Sequence, residues 1–259
     1  MKTANERLLK YYKRTKQMLY VAITIVLLLG VWEVVALLMD NSLLLPTFSK
    51  SCVDLWNNLT SAHFYISFSY KLLRTFISLV IAGILAVALK ALSAYNAFLR
   101  TFCESIVSIL RSFPTIAIIL FLLLWTNNQI APIIICILVV MPIVYAGLKG
   151  LKIDEKTNTM AKIFEIKGAD YFKFVMFPHL QKIIVPLLAS SIALNLKIMV
   201  ASEVLACTYH SLGGMMQTAS VYFDMGNLLA LAFITIVTAI LLEKLVGALK
   251  LLHFKVKEC

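Results

Sequence analysis

Six apolar runs, near residues 19–38, 66–92, 98–125, 130–147, 183–205 and 225–249, divide this chain, and each approaches the length that lets an α-helix cross a bilayer. Backbone groups in hydrocarbon must satisfy one another, so runs of this length can only be helices there. The expected fold is all-α, a polytopic membrane protein with six transmembrane helices. Composition agrees, since 61% of the residues are hydrophobic and 14% charged, against roughly half apolar in soluble domains. A net charge of +11 could suggest nucleic acid. The positive residues cluster at the ends of apolar runs, however, so they are assigned to topology and no nucleic-acid partner is expected.

Charge sets the orientation. Lys2 to Lys16 carry six Lys or Arg against the single Glu6, which places residues 1–18 in the cytosol as a basic N-terminus ahead of a retained first span. Between Lys149 and Lys182 stand seven lysines, at 149, 152, 156, 162, 167, 173 and 182. That connection is therefore cytosolic, as four crossings from a cytosolic N-terminus require. Residues 207–223 contain no Lys or Arg and form an outer loop. Residues 19–252 make up the membrane domain, and 253–259 a cytosolic tail. Lys71 and Arg74 fall near the outer surface in this topology and are expected to snorkel to the headgroups. Glu33 lies at the outer interface, Ser49 is placed to cap a short helix bearing Val53 and Trp56, and Ser78, Ala82 and Gly83 offer a small-residue face for close helix approach.

The segment from Met160 to Pro178 cannot sit in lipid. Met160, Ile163 and Phe164 recur at helical spacing with Lys162, Glu165 and Lys167 on the other faces, Gly168 supplies a turn, and Pro178 closes a second short helix. The order Gly168-Ala169, Val175 and Phe177-Pro178 resembles the cytoplasmic EAA loop of binding-protein-dependent ABC importer permeases, with its Gly and Pro at the family spacing. Lys162, Ile163 and Phe164 stand where that family has Glu-Ala-Ala. The resemblance implies a MetI-like permease fold and a coupling loop, within 149–182, that docks on a separate ATPase subunit through Lys162, Ile163, Phe164, Glu165, Gly168 and Ala169. An ordinary surface loop is the alternative. Leu44-Leu-Pro46 resembles a signature of the sulfonate, nitrate and taurine branch, and Arg111 with Pro114, Ala117 and Leu124-Trp125 resembles a further stretch of the permease family. Ala201-Ser-Glu203-Val-Leu205 and the later Ser211-Leu-Gly213-Gly214 resemble another stretch of that family.

Ionisable groups and proline inside spans are costly, so they usually face protein or water. Arg111, Pro114, Lys197, Glu203, Gly213 and Gly214 are accordingly the candidate pathway residues. Arg111 could instead pair with Glu104, seven residues earlier on the same helical face, and Glu203 could be an interfacial acid near the outer end of its span. Pro114 is expected to kink its helix inside the protein. There is no phosphate-binding loop, no metal-binding pattern of Cys or His and no nucleophile motif. Together with the resemblance, this implies a non-catalytic permease subunit without cofactor, with ATP hydrolysis on a separate subunit. The resemblance implies an importer permease of a bacterial cell membrane, both termini cytosolic, working as a homodimer in lipid with an ATPase and an extracytoplasmic solute-binding protein. Its solute would be a sulfonate, nitrate, taurine or a vitamin precursor. The rival is an ion-coupled secondary transporter or channel using Lys197, Glu203 and Arg111.

Overall fold

A computed structural model describes residues 2–39, 41, 43–148, 155–166, 168–171 and 175–255, and every regular element among them is a helix. The lysines at 149, 152, 167 and 173, the tail from 256 and the side chains of Lys162 and Ala169 lie outside the described residues. The helices are α1 (Lys2–Met39), α2 (Phe48–Thr60), α3 (Ala62–Leu92), α4 (Ala97–Ser112), α5 (Thr115–Trp125) and α6 (Ala131–Gly147), then α7 (Glu155–Ile163), α8 (Gly168–Tyr171), α9 (Phe177–Leu205), α10 (Leu212–Val221) and α11 (Met225–Lys255). Four of them hold a stretch long and apolar enough to cross a membrane alone: Leu19–Met39 of α1, α3, Lys182–Leu205 of α9 and Met225–Ala248 of α11. Helices α4 and α5 reach that length only as a pair, and α6 has 17 residues.

Packing follows the small residues. Ser67, Lys71, Thr75, Ser78, Ala82 and Ala86 recur at helical spacing as a buried stripe on α3. The lower part of that stripe joins Ile135, Val140, Val144 and Tyr145 of α6 and Met199 of α9 in one apolar core. A second core gathers Phe64 of α3, Val200 of α9, Leu212 and Met216 of α10, and Leu231 and Ile234 of α11. Gly83, expected on the packed face, points into open space. The four-residue repeat of serine and alanine makes the contact instead. Helix α1 is almost wholly exposed over its apolar length and is held near its C-terminal end, where Trp32 Nε1 donates to Pro46 O at 3.1 Å and the Trp32 and Phe48 rings meet edge to face.

Several expectations are corrected. The cap of α2 is Thr47, not Ser49: its hydroxyl accepts from the Lys50 N–H, and Glu33 accepts the Phe48 N–H at 2.6 Å. The helix starts earlier because two acceptors already satisfy its first amides. Lys71 and Arg74 do not reach the headgroups. Helix α3 begins at Ala62, so both sit well inside it, and both are buried. Pro114 is not a kink inside the protomer but an exposed corner. Helix α4 ends at Ser112, Pro114 is the N-cap of α5, its carbonyl accepts from the amides of Ala117 and Ile118, and the two helix axes differ by 95°. Helix α9 starts at Phe177, ahead of the expected 183, because Pro178 is tolerated in its first turn.

Candidate functional site

The densest polar cluster lies where α9 ends and α10 begins. Glu203, near the C-terminus of α9, is fully buried, so it is not the interfacial acid that its place in the sequence allowed. Its Oε1 pairs with Arg74 Nη1 at 3.3 Å, and its Oε2 accepts the Gly213 N–H at 3.2 Å. Gly213 is the second residue of α10, so the carboxylate also sits at that helix's positive end. The Ser211 hydroxyl takes the next amide, that of Gly214, at 2.8 Å. Two amides that a helix start leaves unpaired are thereby satisfied without water.

Glycine is required here by proximity. A Cβ on Gly213 would overlap Glu203 and lie 2.7 Å from Val204 N, and one on Gly214 would overlap Thr208 O. These are approaches that real Cβ atoms do not make. The loop that turns α9 into α10 is itself tightly wound: Cys207 and His210 adopt φ values of 49° and 47°, in the left-handed region.

Arg74 gathers the rest of the site. Besides Glu203 it donates to His210 O at 3.3 Å, to Tyr209 O at 3.5 Å and to Gln129 Oε1 at 2.6 Å, and its guanidinium lies 5.7 Å from the Tyr70 ring centroid. Thr208 Oγ1 donates to Asn128 O at 2.9 Å. One buried cation thus ties α3, the α5–α6 turn, the end of α9 and the α9–α10 loop together. Deeper on the same stripe, Lys71 Nζ donates to Thr235 Oγ1 of α11 at 3.3 Å, and Asn195 of α9 donates to Thr75 O and the Ser78 hydroxyl, both at 2.9 Å. An ion pair this buried is a rigid clamp. It stands or falls as a unit, because stripping one partner leaves a charge without water or counter-ion.

The other candidates lie elsewhere. Lys197 is exposed on α9, on a stripe with Ser190 and Ala201. Arg111 is exposed on α4 beside a cavity of about 750 Å³, and Glu104, its expected partner, pairs with Arg100 at 3.6 Å. Helix α7 ends at Ile163, and the turn that follows has Glu165 at φ 50° and Gly168 at φ 60°. Met160, Ile163 and Phe164 are 61%, 70% and 72% exposed. Reading the sequence alone did not assign Gln129, Arg74 or Lys71 to the site. Lys71, Arg74, Thr75 and Ser78 on one face of an apolar run were the available signal. Gln129 carried none.

Among the described residues no group of three or more His, Cys, Asp or Glu is placed to hold a metal. The family described as "Binding-protein-dependent transport system inner membrane component" matches residues 78–253. No curated protein matches the chain. The family match spans more than half of the chain and includes the clamp acid, the glycine pair and the polar hairpin; the protein therefore belongs to the binding-protein-dependent ABC importer permeases, as a multi-pass membrane subunit.

Proposed function

We propose that two copies of this chain form the translocation path of an ABC importer, each docking one ATPase subunit through α7, the turn after it and α8. One observation carries the docking surface. Met160, Ile163 and Phe164 form an exposed apolar patch on a segment that is otherwise polar and lysine-rich. Contiguous apolar surface on a hydrophilic segment marks a place where another protein binds. Phe164 in the position of a family alanine supports a large hydrophobic anchor where that family has a small one. Glu165 and Gly168, both left-handed, set the angle between the two short helices.

In this reading six crossings leave both termini in the cytosol of a bacterium, and a solute-binding protein delivers its cargo to the outer mouth around residues 207–223. Closure of the ATPases moves the hairpins, and rigid helices turn that motion into alternating access. The cargo is a small solute of the sulfonate, nitrate, taurine or vitamin-precursor kind. Affinity purification from the native membrane tests it. The wild-type chain should bring an ATPase with it, and Phe164→Glu should lose that subunit while the clamp keeps the fold intact. Full recovery of the ATPase with Phe164→Glu and with Met160→Glu would remove the docking surface from this hairpin.

A further inference from the structure

The cavity beside Arg111 lies outside the clamp, and its chemistry bears on the cargo. Helix α4 is amphipathic: Thr101, Glu104, Ser105, Ser108, Arg111 and Ser112 recur at three- and four-residue intervals along one face. All six line the cavity, which is closed on its far side by Tyr145 and Ala146 of α6. A polar face facing lipid would cost far more than packing recovers. Six polar residues in register therefore mark a face made for water or for a polar ligand.

Two further observations fix the kind of ligand. Tyr145 is fully buried and lines the cavity, yet its hydroxyl has no hydrogen-bond partner among the described residues. Buried hydroxyls are nearly always paired, and a partner in the cavity would reach this one only on a small shift of the Tyr145 ring. The charges are also unequal. Arg100 engages Glu104 at 3.6 Å, while Arg111 makes no ion pair among the described residues.

We propose that this cavity is an anion-selective vestibule of the translocation path, in which Arg111 supplies the charge, and the hydroxyls of Ser105 and Ser108 the hydrogen bonds, for a small oxyanion. This rests on the permease reading above and narrows its cargo to anions. A volume of about 750 Å³ lies within the range of small-molecule sites.

Thiol reactivity tests it without knowledge of the cargo. In the complete transporter in inside-out membrane vesicles, with Cys52, Cys207 and Cys259 replaced by serine, Ser108→Cys is treated with anionic sulfonatoethyl or cationic trimethylammonioethyl methanethiosulfonate. Each rate is divided by that reagent's rate on a free thiol. Arg100 and Arg111 of α4 outnumber its one acid, Glu104, and a cleft with an excess of positive charge raises the local anion concentration by about tenfold. The anionic reagent should therefore be preferred about tenfold at position 108, with the preference lost in Arg111→Gln. Ser105→Cys should repeat the result, and Ile109→Cys, on the apolar face, should react with neither reagent. Equal rates, or a cationic preference, at both serine positions would overturn the anion selectivity. No reaction at either position would overturn the vestibule. ATPase recovery on the same vesicles keeps these outcomes apart from failure of the permease reading, which would show as loss of the ATPase from the wild type.

Discussion

Glu203→Gln should destabilise this protein by about 3 kcal/mol, since breaking a buried ion pair by removing one partner typically costs about 3–5 kcal/mol. The geometry places this variant at the lower end. The substituted amide would keep an oxygen for the Gly213 N–H, and Arg74 would retain His210 O, Tyr209 O and Gln129 Oε1 as acceptors. What disappears is the counter-charge for Arg74 and for Lys71, which also lies within reach of the Glu203 charge. Arg74→Gln should cost more, about 4 kcal/mol on the same scale. It leaves the carboxylate with one amide, the α10 terminus, whose dipole is worth at most about 2 kcal/mol, and Lys71, which acts by charge without a direct contact. The double variant should fall short of the sum by about 1.5–3 kcal/mol, as expected for groups in direct contact. Unfolding in mixed micelles by SDS titration, followed by far-UV circular dichroism, measures all four corners of the cycle. Raising the salt from about 0.1 to 0.5 M should leave the coupling nearly unchanged, since a pair this deeply buried is screened little. A Glu203→Gln protein within about 0.5 kcal/mol of wild type, or a cycle that closes additively, would refute the clamp.

Gly213→Ala should disrupt the loop more than Gly214→Ala. Its added carbon meets Glu203 and the α9 backbone at Val204 and Val200, while that of Gly214 meets a loop carbonyl; limited proteolysis between residues 205 and 215 of the two variants compares them. Burial, then the nearby Asp224 charge, raises the Asp54 carboxyl above its ordinary 3.8 against the opposing pull of Lys50. A raised carboxylate holds its proton longer in the folded state, so stability falls as pH rises through the range just above that value. Wild type should therefore gain on Asp54→Asn as melts are taken from about pH 7 down to about pH 4, and parallel curves would contradict this. An impermeant maleimide applied to intact cells should label the exposed native Cys207 and miss Thr157→Cys on α7. Labelling of position 157 from the medium would reverse the topology.

Local periodicity carries far in a chain of this kind. The ends of α3, α6 and α11 lie within a few residues of the apolar runs, because about twenty apolar residues leave the backbone no alternative to a helix. The turn at Gly168 was legible for the same reason: glycine acts through its neighbours in sequence. The helices of the clamp were legible, but not their pairing. Lys71 and Arg74 in an apolar run fit snorkelling as well as burial until a partner 129 residues away in the chain is brought beside Arg74.

Pro114 shows the same limit. Sequence alone places a break there, while whether the break is a kink or a 95° corner depends on what each half packs against. Arg111 and Glu104 share a helical face, yet Arg100, one turn before Glu104, takes the acid. By itself the sequence determined the class of fold and most of the helices, since these follow from hydrocarbon's intolerance of unpaired backbone. Only the tertiary structure decided which buried charges neutralise one another and which polar face is left open, because Coulomb energy in a medium of low polarity depends on separation in space and not along the chain.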